Sequence, residues 1–185
     1  MNKYFDSEEF KGLVSLEKGE YDGCTFTNCS LPSANLSGCA FTDCEFESCD
    51  LSAANLQNTA MRDVRFISCK LLGLQFAECN EFLFSVGFDS CQLNLSSFYQ
   101  LNLKKASFKK CSLQEVDFTE ANLAEASFQN ADLLGAMFDR TNLEKADLRS
   151  AENYEIDPEN NRIKKTKFSL PAVLGLLRKY DIKIG

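Results

Sequence analysis

FTNCSLPSANLSGCAFTDCEFESCDL, residues 26–51, holds four cysteines, Cys29, Cys39, Cys44 and Cys49, and Cys24 lies just upstream. Metal sites, disulfides, catalytic thiols and plain packing all concentrate cysteine, and each leaves its own spacing. Here the thiols follow the large apolar residues. Every fifth position from Phe26 to Phe76 carries one: Phe26, Leu31, Leu36, Phe41, Phe46, Leu51, Leu56, Met61, Phe66, Leu71 and Phe76. A second run of the same step starts at Leu83 and Phe88 and passes Phe98, Leu103, Phe118, Leu123, Phe138 and Leu143 to Leu148. A helix repeats every 3.6 residues and a strand every 2, so a step of five belongs to neither. A short fixed period over most of a chain is the mark of a solenoid.

Each of these residues is a centre. Two positions before it stands a smaller one: Ala34, Ala54, Val64, Val116, Ala121, Ala126, Ala131, Ala136 or Ala146. Cys24, Cys29, Cys39, Cys44, Cys49, Cys69, Cys79, Cys91 and Cys111 all share this slot, which makes them small apolar fillers interchangeable with Ala and Val. The C-x2-C pairs of zinc sites are missing. At a step of 20 like residues align: Phe26/Phe46/Phe66, Phe98/Phe118/Phe138, Leu103/Leu123/Leu143 and Asn102/Asn122/Asn142. Stacked coils place like on like, so four pentapeptides make one coil.

The composition bounds the function. At 185 residues the chain is one domain, with neither His nor Trp. Its acidic start, MNKYFDSEEF, is no signal peptide, and no apolar run approaches a membrane span, so a reducing cytoplasm without disulfides is expected. Residues 1–160 carry 26 acidic and 13 basic side chains, a balance of −13, whereas residues 161–185 carry 1 and 7, a balance of +6. An acidic body disfavours direct nucleic-acid binding and favours basic partners. Asp43, Glu45, Glu47 and Asp50 form the candidate acidic partner surface. The basic patch Lys104, Lys105, Lys109 and Lys110 lacks interleaved aromatics. Without His, a P-loop, G-x-S-x-G or GxGxxG, no catalytic, metal or cofactor site is expected.

The stretches ANLSG (34–38), ANLAE (121–125) and ADLLG (131–135) resemble the pentapeptide-repeat family, whose pattern is roughly A(D/N)LXX. The resemblance covers about residues 14–150. It implies an all-β solenoid, a right-handed quadrilateral β-helix of about seven coils, with centre and minus-two side chains inward. In size and acidity the chain is similar to the quinolone-resistance, Qnr-like group. There the rod imitates duplex DNA and engages type II topoisomerases. The resemblance therefore implies a non-catalytic DNA mimic with DNA gyrase or topoisomerase IV as partner. The alternative is a scaffolding repeat protein that docks an unrelated protein.

Both ends of a solenoid need caps. Residues 1–15 read as an N-terminal cap, with Asp6 or Ser7 as a helix N-cap. Residues 16–150 read as the β-helix, with a register slip at 77–83, where seven residues rather than five separate Phe76 from Leu83. Residues 151–185 read as a turn at Asp157–Pro158, a short capping helix and a strand at 182–184. Ser169 would cap that helix, and Leu170, Val173, Leu174 and Leu177 would form its apolar face. The same face is the candidate homodimer contact.

Overall fold

The computed structural model describes residues 3–170 and 172–183. The chain winds as a right-handed quadrilateral β-helix in which every strand pairing is parallel. Strands β1 (Lys3–Asp6), β3 (Gly19–Asp22), β5 (Ala40–Thr42) and β7 (Ala60–Arg62) stack on the first face. On the second face stack β2 (Glu9–Lys11), β4 (Thr25–Thr27), β6 (Glu45–Glu47), β8 (Val64–Ile67), β9 (Val86–Asp89) and β10 (Phe108–Lys109). The third face is centred on Leu31, Leu51, Leu71, Leu93, Leu113 and Leu133, the fourth on Leu36, Leu56, Phe76, Phe98, Phe118 and Phe138. These two faces are held by single bridges such as Asp50↔Lys70 and Asn35↔Asn55.

Side chains alternate across this backbone. Phe26, Phe46, Phe66, Phe98, Phe118, Leu103, Leu123 and Leu143 are buried, and Phe138 keeps 8% exposure near the upper end. Rings one coil apart stack at 4.4 Å (Phe26–Phe46), 5.2 Å (Phe46–Phe66) and 5.4 Å (Phe98–Phe118, Phe118–Phe138). Neighbouring columns meet edge to face, as Phe108 and Phe118 do at 5.6 Å. Both are favoured aromatic geometries, and together they fill the axis of the rod.

All nine cysteines are free and buried. They do more than fill space. The thiols of Cys49, Cys69 and Cys91 point at the carbonyls of Phe26, Phe46 and Phe66 in the coil below, at 3.4, 3.2 and 3.3 Å. Thr59, Ser96 and Thr141 occupy the same slot and donate hydroxyls to Leu36, Leu71 and Phe118 at 2.9, 2.9 and 2.8 Å. The slot therefore accepts a weak donor as well as a methyl.

The structure departs from the sequence reading at both ends and at the slip. No helix follows Asp6 or Ser7. Instead β1 and β2 pair with β3 and β4, Phe5 opposite Tyr21 and Phe10 opposite Phe26. That coil closes in 16 residues rather than 20, so its apolar residues fall outside the frame of five. Ladder bridges also continue beyond residue 150, to Asn142↔Arg162 and Asp147↔Lys167. The second face thus rises through nine levels, from Phe10 to Phe168, seven of them within residues 16–150 and one added at each end.

The C-terminal helix is not an α-helix. Residues Ala172–Leu176 and Arg178–Tyr180 form two 3-10 turns. Leu170 is 89% exposed and Leu174 44%, while Ala172 and Leu176 are the residues that pack on the core. Gly175 explains the change. A Cβ there would lie 2.2 Å from the Tyr154 carbonyl oxygen, so the segment docks by bare backbone at that point. Residues 182 and 183 form no strand, and residue 184 lies outside the described residues.

At the slip, Phe66 pairs with Phe88, a step of 22. Leu83, counted in sequence as the first centre of the second run, is 65% exposed at a left-handed corner with φ 59°. Residues 81–83 loop outward and the partly buried Phe84 turns in instead.

Candidate functional site

A rod whose core side chains pack against one another meets partners through its surface. Within each pentapeptide the residue before the centre and the two after it point outward, so surface residues form columns along the axis, one residue per level about 4.8 Å apart.

Asp43, Glu45, Glu47 and Asp50 share one coil but not one face. Asp43 lies at the corner after the first face, Glu45 and Glu47 flank Phe46 on the second, and Asp50 belongs to the third. Arg65 neutralises Glu45 at 3.0 Å and Lys70 reaches Asp50 at 3.4 Å. Burial alone would raise the Asp50 carboxyl, but the Ser52 N–H and Lys70 outweigh it and hold it below the usual carboxylate range. Asp43 and Glu47 have no ion-pair partner among the described residues. Asp43 instead stacks below Asp63 in the same corner column, an alignment legible from the step of 20.

The C-terminal half collects a larger acidic surface that the sequence reading did not single out. On the third and fourth faces and the corners beside them stand Glu115, Asp117, Glu120, Asp132 and Asp139. Arg140 serves two of them, reaching Glu120 at 2.7 Å and Asp139 at 3.3 Å. The carboxylate of Asp132 meets amides only, Gln114 at 2.7 Å and Asn153 at 2.8 Å. Burial pushes that carboxyl up, and these amides with the Leu134 N–H more than reverse the push.

Among these carboxylates lie exposed apolar side chains: Leu95, Tyr99, Leu134 and Met137. Leu134 and Met137, with Gly135, Ala136 and Ile156, line a cleft of about 970 Å³ beneath the C-terminal turns. Its polar wall includes Glu115, Asp139, Glu155 and Asp157, and Lys179 is held by Asp157 at 2.5 Å and Glu159 at 2.7 Å. Apolar side chains rimmed by charged ones, Arg178 and Lys179 included, suit macromolecular recognition. No cluster of three potential metal ligands occurs among the described residues, and none of their helices is long and apolar enough to cross a membrane.

The opposite faces differ in sign. Lys104, Lys105, Lys109 and Lys110 lie on the first and second faces above the slip. Lys109 is paired with Asp89 at 2.7 Å and lowers that carboxyl through the contact. The rod is therefore polar across its width as well as along its length.

The family model described as a pentapeptide repeat region matches residues 20–81 and 82–157, and the chain belongs to the pentapeptide-repeat family. Among solved structures, the chain is similar to full-length QnrB1, a plasmid-mediated fluoroquinolone resistance protein. The TM-score is 0.51 at 21% identity, covering 97% of this chain and 100% of that one. A trypsin-treated form of QnrB1 aligns with a TM-score of 0.50 at 22% identity, covering 99% of this chain and 100% of that one. At these identities the likeness is one of fold. No curated protein matches the sequence.

Proposed function

We propose that this protein is a non-catalytic, cytoplasmic binding rod that imitates duplex DNA and engages a type II topoisomerase, gyrase or topoisomerase IV. The observation that carries the reading is the density of uncompensated acid on a stiff rod. A balance of −13 over residues 1–160, spread along roughly 34 Å of stacked levels from Phe10 to Leu148, is one net charge per about 2.6 Å. Duplex DNA carries one per about 1.7 Å of axis. The rod reaches about two thirds of that density with its charges fixed on a rigid core. Asp43, Glu45, Glu47 and Asp50 would contribute at the N-terminal half, and Glu115, Asp117, Asp132 and Asp139 at the C-terminal half.

Attraction between solvated surfaces is screened over about 8 Å at physiological ionic strength. Binding to gyrase should weaken steeply with salt, and duplex DNA should compete. Neutralising Asp43, Glu45, Glu47 and Asp50 to Asn or Gln should slow association more than it speeds dissociation. Purified gyrase decides the matter, with supercoiling and fluoroquinolone-induced cleavage as readouts. Absence of binding at about 10 μM in low salt (a ΔG weaker than about −7 kcal/mol), with both assays unchanged, refutes the topoisomerase reading. A scaffold for another protein is then what stands.

The same reading includes a homodimer through the C-terminal end. The ladder stops at Lys167, and Leu170, Leu174 and Ile182 leave apolar surface exposed beyond it. Val173 and Leu177 stand partly buried beside them. A two-fold pairing of these ends would cover that surface. Light scattering should find a dimer for the full chain and a monomer for Leu170→Glu/Leu174→Glu. A monodisperse monomer at high micromolar concentration of the full chain refutes it.

A further inference from the structure

The backbone ladder of the first face is interrupted at the slip. On the second, third and fourth faces the ladder crosses the slip without a gap, through Phe66↔Phe88, Lys70↔Gln92 and Gln75↔Ser97. On the first face it stops at Ala60↔Asn80 and resumes only at Asn102↔Asn122. Elsewhere on that face the regular bonds are plain: Asn122 N–H donates to Leu101 at 2.9 Å, and Leu103 N–H to Asn122 at 2.8 Å. The counterparts across the gap are missing among the described residues. Asn102 N–H has no backbone acceptor below it, the Asn102 and Lys104 carbonyls have no backbone donors, and the Glu81 and Leu83 N–H groups have no backbone acceptor above.

The gap leads into a cavity. About 610 Å³ opens beneath residues 102–107, with Phe84, Val86 and Ala106 as apolar lining and Arg65, Lys104 and Lys105 as its cations. Arg65 is engaged by Glu45 at 3.0 Å, Lys104 has only a loose contact with Glu125 at 3.8 Å, and Lys105 has no carboxylate partner among the described residues. Asp43 and Asp63 stand on the lower wall, where Asp63 accepts the Ser85 hydroxyl at 2.8 Å.

We infer that this break is a strand-addition site for a short, extended, acidic peptide segment of a protein partner, independent of the acidic faces and of the topoisomerase reading. Three properties lead there. The unmet groups are both donors and acceptors at strand spacing, which another peptide backbone satisfies and a phosphate does not, because the Asn102 and Lys104 carbonyls would repel it. The volume lies within the 300–1,000 Å³ usual for ligand sites and suits a few extended residues. The cations left over, Lys104 and Lys105, stand on the upper lip, where carboxylate side chains of an added strand would meet them. The two-residue insertion is thereby given a purpose. It turns residues 81–83 outward and leaves the lower edge of Asn102–Lys104 open to a guest strand.

Panning a displayed heptapeptide library on the full-length protein, followed by fluorescence anisotropy of the enriched peptides, tests this. Enriched sequences should carry two or more Asp or Glu and bind in the micromolar range. Lys104→Glu/Lys105→Glu should weaken them at least about tenfold, and methylating alternate peptide amides should do the same. The Asn102 amide, fast to exchange in the free protein while Asn122 is protected, should slow on binding. Deleting Phe82 and Leu83 to close the ladder should abolish binding; if that variant does not fold, the lysine pair carries the test alone. The proposal is overturned by the absence of enrichment above the lysine variant, or by peptides indifferent to both the lysines and amide methylation. Equal binding of a dT12 oligonucleotide with the same lysine dependence would also overturn it, in favour of a simple anion patch.

Discussion

The first face is built two ways in one molecule. Below the slip, β3, β5 and β7 form true strands; above it, Asn102, Asn122 and Asn142 are joined by single bridges, although coil step, centre positions and core are the same. The residue before the centre makes the difference. Below, it is Glu20, Ala40 or Ala60, which offers its neighbours no short side-chain acceptor. Above, each Asn turns its Oδ1 onto the N–H two residues on, at Lys104, Ala124 and Glu144, at 3.4, 3.3 and 3.1 Å. Asn competes in this way with the strand for the same N–H. The freed amide nitrogens then build a second ladder, Asn122 to Asn102 and Asn142 to Asn122, both at 2.9 Å. One fold thus tolerates two local solutions, provided the inward residues are unchanged.

If the core is common to both halves, its removal should hurt equally in either. Phe46→Ala and Phe118→Ala should each cost roughly 3–5 kcal/mol, because each empties a site stacked above and below. Coils lean chiefly on their neighbours, so hydrogen exchange should rise first in the adjacent coils. Chemical denaturation of the two variants measures this. A loss under about 1 kcal/mol for either would show that its half does not depend on the aromatic column.

The Asn ladder belongs to one half alone. Asn122→Ala removes two amide–amide bonds and the Ala124 N–H contact, and should cost about 2 kcal/mol. Ala40→Ser, at an equivalent and partly exposed strand position, should change stability by under about 0.5 kcal/mol. Equal effects at the two sites would erase the distinction between the halves.

Much of this was legible in the primary structure. Phe26 to Phe76 announce the period, and the step of 20 sets the number of faces. What escaped did so for physical reasons. Phe5 and Phe10 fall in a coil of 16 residues, so no fixed period reaches them. Leu170, Val173, Leu174 and Leu177 have helical spacing, yet the close approach of Gly175 to Tyr154 decides how that segment packs. Four acids close in sequence, Asp43 to Asp50, spread over adjacent faces, whereas Glu115, Asp117, Asp132 and Asp139 converge only after the chain has turned. The opening below Asn102 needed the ladder itself, since an insertion reveals its length and not which face it interrupts.

The smallest effect concerns the slot in which the halves also differ, Cys-rich below and Ala-rich above. Burial pushes the Cys44 and Cys79 thiols up to about 12, so native thiols stay protonated and slow to react. A thiol reagent should modify few of them before denaturation and all nine after it. Cys49→Ala gives up little volume and three weak contacts, to the Phe26 and Glu47 carbonyls at 3.4 and 3.3 Å and from the Cys29 N–H at 3.3 Å, and should cost about 1 kcal/mol. Cys49→Ser separates the two contributions. If the slot rewards only volume, Ser should be worse than Ala, because a hydroxyl is costlier to bury than a methyl. If it rewards a donor, Ser should lie between Cys and Ala, since the Ser96 hydroxyl already bonds the Leu71 carbonyl at 2.9 Å in an equivalent place. The structure favours the second order. A Cys49→Ser protein less stable than Cys49→Ala would return the thiols to the role of plain filler, and the two halves would then differ only in their turns.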